Sequence, residues 1–159
     1  MKKDMSLTIN YVYSDTFTNV VILSKMSKIH LKYTGDLRTT CTHLKSTNQF
    51  ITDAPLDNNG KGESFSPTDL LATAYASCML TIIGIFCDKQ GLEFANGQAE
   101  VIKIMVDNPR RIGALQIKMD LSGNIWSEKE QQKIIKAALA CPVAKSVSSE
   151  IEVDVNFEF

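Results

Sequence analysis

The sequence predicts an α+β fold in which antiparallel sheet packs on a long central helix and a second helix. Three observations predict it. The stretch from Ser66 to Gly91 is mostly apolar and bounded by helix start and stop signals. The segments around it alternate apolar and polar residues at the period of two that marks half-buried strands. Helices do not alternate one for one with strands, which argues against a doubly wound parallel sheet.

Residues 1–25 carry an alternating run (Leu7, Ile9, Tyr11, Tyr13) and a short apolar run from Val20 to Leu23. We read them as an extension, with the compact domain spanning 26–159. Ile29, Leu31 and Tyr33 alternate with His30 and Lys32 as a strand, and Gly35-Asp36 turns the chain. Leu37 to Leu44 and Gln49 to Thr52 form a hairpin about Ser46-Thr47-Asn48. Asp53 to Glu63 is a polar loop with a turn at Asn59-Gly60.

The central helix follows. Ser66 is placed to cap it, Pro67 takes the first helical position, and Asp69 stands where a carboxylate reaches back to the cap. Gly91 is its stop, with Lys89 in the last turn. Its apolar residues run nearly all round, which predicts burial on several sides. Gln98 to Val106 is a strand, Asp107-Asn108-Pro109 a turn, and Leu115, Ile117, Met119 and Leu121 mark the next strand. Ser127 to Glu130 is a capping box that opens a second helix carrying Ile134, Ile135, Ala138 and Leu139. Pro142 disfavours its continuation through Cys141. Ile151, Val153, Val155, Phe157 and Phe159 form the last strand.

Composition narrows the function. A formal net charge of −1 supplies no field for nucleic acid or an anionic membrane. No run is read as approaching the roughly 18 apolar residues of a membrane span, and no secretory leader is read at the N-terminus. The four cysteines (41, 78, 87 and 141) form no CxxC pair, which argues against a zinc site and a secreted disulfide scaffold. The expectation is a cytoplasmic protein with reduced thiols and no metal or cofactor.

Cys78 lies mid-helix, either as a small apolar core residue or as a reactive thiol whose thiolate draws its stabilising charge from elsewhere. Cys141 follows the second helix; the two stand 63 positions apart, and as a peroxidatic and resolving pair their α-carbons must approach within about 7 Å. Arg38 is either a solvated strand-end charge or a guanidinium that stabilises a thiolate and polarises a peroxide oxygen. His43, Cys41 and Cys87 read as structural. Asp69 completes the helix cap; its alternative role is to orient Arg38. Nine residues of helix place it about 13 Å along the axis from Cys78, so the two share a site only across a dimer of antiparallel central helices.

Three stretches together resemble the OsmC/Ohr family of thiol-dependent peroxidases: Ser66-Pro67-Thr68-Asp69-Leu70-Leu71-Ala72, then Ala76-Ser77-Cys78, then Ala140-Cys141-Pro142-Val143-Ala144-Lys145-Ser146. The Gly35-Asp36-Leu37-Arg38 turn looks like the place of the family's active-site arginine. The similarity runs from about Ile29 to Phe159. It implies an intertwined homodimer with active sites at the interface and a peroxiredoxin-like, two-cysteine cycle in oxidative or osmotic stress defence. Cys78 would attack the distal oxygen of an organic hydroperoxide and become a sulfenic acid. Cys141 would condense with it, a dithiol reductant of lipoyl or thioredoxin type would restore both, and Arg38 would stabilise the developing charge. Where organic hydroperoxide resistance proteins carry a glutamate ten residues before the cysteine, this chain has Thr68, and its carboxylate is Asp69. That spacing looks like the OsmC-like branch.

Two other readings use the same residues. One is a non-catalytic dimeric module that binds a small apolar ligand. The other is a thiol-dependent acyl-transfer enzyme, which needs a base beside Cys78, and His30 and His43 are the only histidines.

Overall fold

The computed structural model describes residues 27–159, and the chain divides into two compact units, residues 1–51 and 52–159. The extension expected over residues 1–25 lies outside the described residues.

The described part of the first unit is a sheet of β1 (Ile29–Gly35), β2 (Arg38–His43) and β3 (Gln49–Asp53), in that order, with β3 running across the boundary. β1 and β2 pair antiparallel, with Leu31 opposite Cys41. Asp36 and Leu37 both adopt positive φ, 50° and 59°. Two consecutive left-handed residues give a hairpin turn whose twist matches its strands. The turn is therefore centred one residue later than Gly35-Asp36, and it places a leucine where an L side chain is disfavoured. The second hairpin closes with His43 N–H donating to the Asn48 carbonyl at 2.9 Å. Ile29, Leu31 and Tyr33, expected to be half-buried, are each more than half exposed.

The second unit carries a short 3₁₀ turn (Leu56–Asn58), helix α1 (Pro67–Gln90), strands β4 (Gln98–Val106) and β5 (Arg111–Asp120), helix α2 (Glu128–Leu139) and strand β6 (Glu152–Glu158). Both helices start and stop at the residues that the sequence marks. Ser66 Oγ accepts from the Asp69 N–H at 3.1 Å, and the Asp69 carboxylate accepts from the Ser66 N–H at 2.8 Å. Gly91 stops α1 at φ 65°, and the Leu92 N–H returns to the Cys87 carbonyl at 2.9 Å. The Ser127–Glu130 box opens α2 in the same way.

The sheet order is β4-β5-β6. β4 and β5 are antiparallel, but β6 lies parallel to β5, with Ile117 opposite Val155. The sheet is therefore mixed. The physical reason is the connection: a helix and a loop separate β5 from β6, long enough to carry the chain back and let it run in the same direction. A bulge at Ile104/Met105 shifts the β4–β5 register. It turns Ile112 inward out of phase with Leu115, Ile117, Met119 and Leu121, all of which are buried. Gly113 sits at that bulge, where a Cβ would fall 2.4 Å from Val106 Cγ1.

The core joins these β5 residues to Met79, Ile83 and Cys87 of α1, Ile134 and Ala138 of α2, and Cys141. Within a single chain α1 is buried on one side: Ala72, Tyr75, Ala76, Met79, Ile83 and Cys87 point inward, while Ala74, Ser77, Thr81 and Ile85 are exposed. One expectation about it is corrected: α1 is long and apolar enough to cross a membrane by length and composition, with mean hydropathy 2.0 over its most apolar window. Alanine, cysteine, leucine and isoleucine together raise that average without a pure leucine run. A third of that window is packed inside the protein.

Candidate functional site

Two clusters on α1 hold the chemistry-bearing residues of the second unit. The first is a thiol pair. Cys78 lies on the border of the buried face of α1 and is partly accessible; Cys141, in the loop after α2, is wholly buried. Cys78 stands near enough to Cys141 to act on its titration, so the fold brings together cysteines that stand 63 positions apart. α2 ends at Leu139. The chain then folds from Cys141 into a tight turn in which the Lys145 N–H donates to the Cys141 carbonyl at 3.2 Å and the Ala144 N–H donates to Cys141 Sγ at 3.3 Å. The Cys-Pro-Val-Ala-Lys run thus wraps its own backbone around the sulfur.

Burial pushes the Cys141 thiol above its ordinary pKa. The amides of Ala144 and Val143 act in the opposite sense, and the hydrogen bond with Cys78 again favours the protonated form. The net effect is a Cys141 thiol that is harder to ionise than an ordinary one. Tyr75, one turn before Cys78 and buried, is itself raised, first by burial and then by the neighbouring Cys141.

The second cluster lies at the N-terminus of α1. Lys103 of β4 reaches it and donates to Asp69 Oδ1 at 2.6 Å, to Thr68 Oγ1 at 2.8 Å and to Ser66 Oγ at 3.4 Å. Burial raises the Asp69 carboxyl, but the hydrogen bonds from Lys103 and Ser66 outweigh it and hold the group below its ordinary range. An open cavity of about 650 Å³ lies against this cluster, walled by Phe65, Thr73 and Val101. Sequence reasoning missed Lys103. The signal is its register: it shares the inward phase of β4 with Val101 and Met105, where a lysine needs a partner.

Of the four site residues expected from the sequence, the structure joins Cys78 to Cys141 and gives Asp69 to Lys103. Arg38 belongs to the first unit, half-buried at the start of β2, directly after the strained Leu37. His43, also in the first unit, has both ring nitrogens bound by serine hydroxyls, Ser46 at 2.7 Å and Ser27 at 3.1 Å. Cys87 is buried in the core of the second unit and Cys41 is buried on β2. No group of acids, histidines and cysteines suited to a metal ion occurs among the described residues.

A family model described as OsmC-like protein matches residues 60–156. Among solved structures, a putative osmotic stress induced and detoxification response protein from Psychrobacter arcticus 273-4 is 47% identical, with TM-score 0.79 over 84% of this chain and 96% of that one. An OsmC-like protein from Mycoplasma pneumoniae shares the fold at 16% identity, with TM-score 0.70 over 84% of this chain and 96% of that one. The organic hydroperoxide resistance protein OhrB of Bacillus subtilis shares it at 19% identity, with TM-score 0.56 over 84% of this chain and 98% of that one. No curated protein matches the sequence.

Proposed function

Because the chain belongs to the OsmC-like protein family, we propose that it reduces organic hydroperoxides by a two-cysteine cycle. The single observation that carries this reading is that the fold sets a partly accessible Cys78 beside a buried Cys141 from 63 positions away in the chain. The partly accessible Cys78 is the nucleophile. As a thiolate it attacks the distal peroxide oxygen, the O–O bond breaks, the alcohol departs, and Cys78 is left as a sulfenic acid. Cys141 then attacks the Cys78 sulfur, its proton leaves with the hydroxyl as water, and a disulfide forms. A dithiol returns two electrons and two protons.

Arg38 completes the proposal as the charge that meets the developing oxyanion. A homodimer supplies the setting: an apolar helix with Ala74, Ser77, Thr81 and Ile85 exposed has a face to cover. A reducing compartment such as the cytoplasm suits the cycle.

The test is mass spectrometry of the reduced protein after one equivalent of cumene hydroperoxide, with Cys78→Ser and Cys141→Ser alongside. The expected products are a Cys78–Cys141 disulfide in the parent protein and a sulfenic acid trapped only in Cys141→Ser. An unchanged parent protein would overturn the proposal and favour a binding module that keeps the fold without the chemistry.

A further inference from the structure

A shallow groove of about 650 Å³ runs along α2 and on to the turn after Cys141. Lys129, Lys133, Lys136 and Lys145 line it, and Ile135 and Leu139 give it an apolar floor. The spacing explains the stripe: positions 129, 133 and 136 fall on one face of a helix. None of these lysines forms a close salt bridge among the described residues, although Lys133 lies within electrostatic reach of Glu130. Glu130, the nearest carboxylate along the helix, is held by Ser127 in the capping box. Leu139 is 47% exposed. Four lysines around an apolar strip, in a chain of net charge −1, outnumber Glu128 and Glu130 on the same helix and give the groove a local excess of positive charge. The groove also ends beside the Cys141 turn, since it is walled by Ala140, which immediately precedes Cys141, and by Lys145, whose N–H closes the turn on the Cys141 carbonyl.

We infer that this groove docks the reductant, and that the reductant is an acidic protein segment presenting a dithiol among aspartates and glutamates. The inference rests on the two-cysteine reading. Charge complementarity brings the partner to the lysines, and one of its apolar side chains covers Ile135 and Leu139. One partner thiolate attacks the Cys78 sulfur, the more accessible half of the disulfide. The bond to Cys141 breaks and its electron pair leaves on the Cys141 sulfur, which the Ala144 N–H already faces at 3.3 Å. The partner's second thiol attacks the mixed disulfide and releases Cys78. The partner leaves as a disulfide, and its two protons go to the two cysteines.

The experiment uses the full chain oxidised with cumene hydroperoxide and two peptides with one Cys-Gly-Pro-Cys dithiol, flanked by glutamates in one and by lysines in the other. Each reduction rate is divided by that peptide's rate on oxidised glutathione. The acidic peptide should be faster by roughly tenfold at low ionic strength, and 0.5 M salt should remove the advantage. The triple variant Lys129→Glu/Lys133→Glu/Lys136→Glu should reverse the preference and leave reduction by dithiothreitol unchanged. A milder Lys→Gln triple should abolish the preference without reversing it. Equal rates for the two peptides on the parent protein would overturn the inference. If peroxide forms no disulfide, the two-cysteine reading itself fails; diamide then installs the disulfide and the groove is still tested.

Discussion

The two clusters on α1 use polar atoms in opposite ways. At its N-terminus, Ser66, Thr68, Asp69 and Lys103 bind one another closely. The carboxylate has one oxygen on Lys103 and the other on the cap. Near the middle, Cys78 packs against an apolar core that holds Cys141. Satisfied polar groups hold an element in place, whereas a thiol with an accessible face and no strong partner is free to react. On the two-cysteine proposal, one end of the helix is built to stay as it is and its middle to change.

The largest expected effect breaks the middle. Cys78→Ser should lower hydroperoxide turnover by more than about 10⁴-fold, with the far-UV spectrum and melting curve close to those of the parent. Next, Ile83→Ala, in the core, should cost about 2–5 kcal/mol in denaturant unfolding because a buried side chain leaves a cavity. Lys103→Met, at the saturated end, should cost about 1–2 kcal/mol. Lys103→Met with Asp69→Asn should cost less than the sum of the two, since both remove one interaction. A strictly additive cycle would show that the ends of α1 differ less than the geometry says.

The smallest effect is in acid. Asp69 has a folded pKa below its unfolded value of 3.8. Its contribution is therefore complete above that value and is lost as pH falls through the folded pKa. Unfolding followed by fluorescence between pH 5 and 2 should show a shallower acid limb in Asp69→Asn than in the parent.

The bounds of α1 were legible because caps are local: Ser66 and Asp69 stand three apart, and Gly91 supplies the left-handed stop. The strands were legible from their period. The direction of β6 was not, because the Ile151–Phe159 run alternates identically in a parallel or an antiparallel pair. Which face of α1 the chain itself covers was hidden for a related reason, since alanine and isoleucine stand on its exposed face as well as its buried one. The thiol pair came from the family resemblance, since no spacing says which of four cysteines meet. Lys103 was missed because a lysine in a strand reads as surface until its register is compared with Val101 and Met105.

The approach of Cys78 to Cys141 spans a long circuit of chain: β4, β5 and α2 all lie between them. A covalent bond there would tether the unfolded chain across those elements. Removing that much chain entropy stabilises the folded state by about 4 kcal/mol. Oxidation would then mark the molecule mechanically as well as chemically. The oxidised form should melt higher and resist protease longer, and each reduction should return the chain to its looser ground. A protein of this construction would be hardest to degrade while it still holds the oxidising equivalents it has taken up.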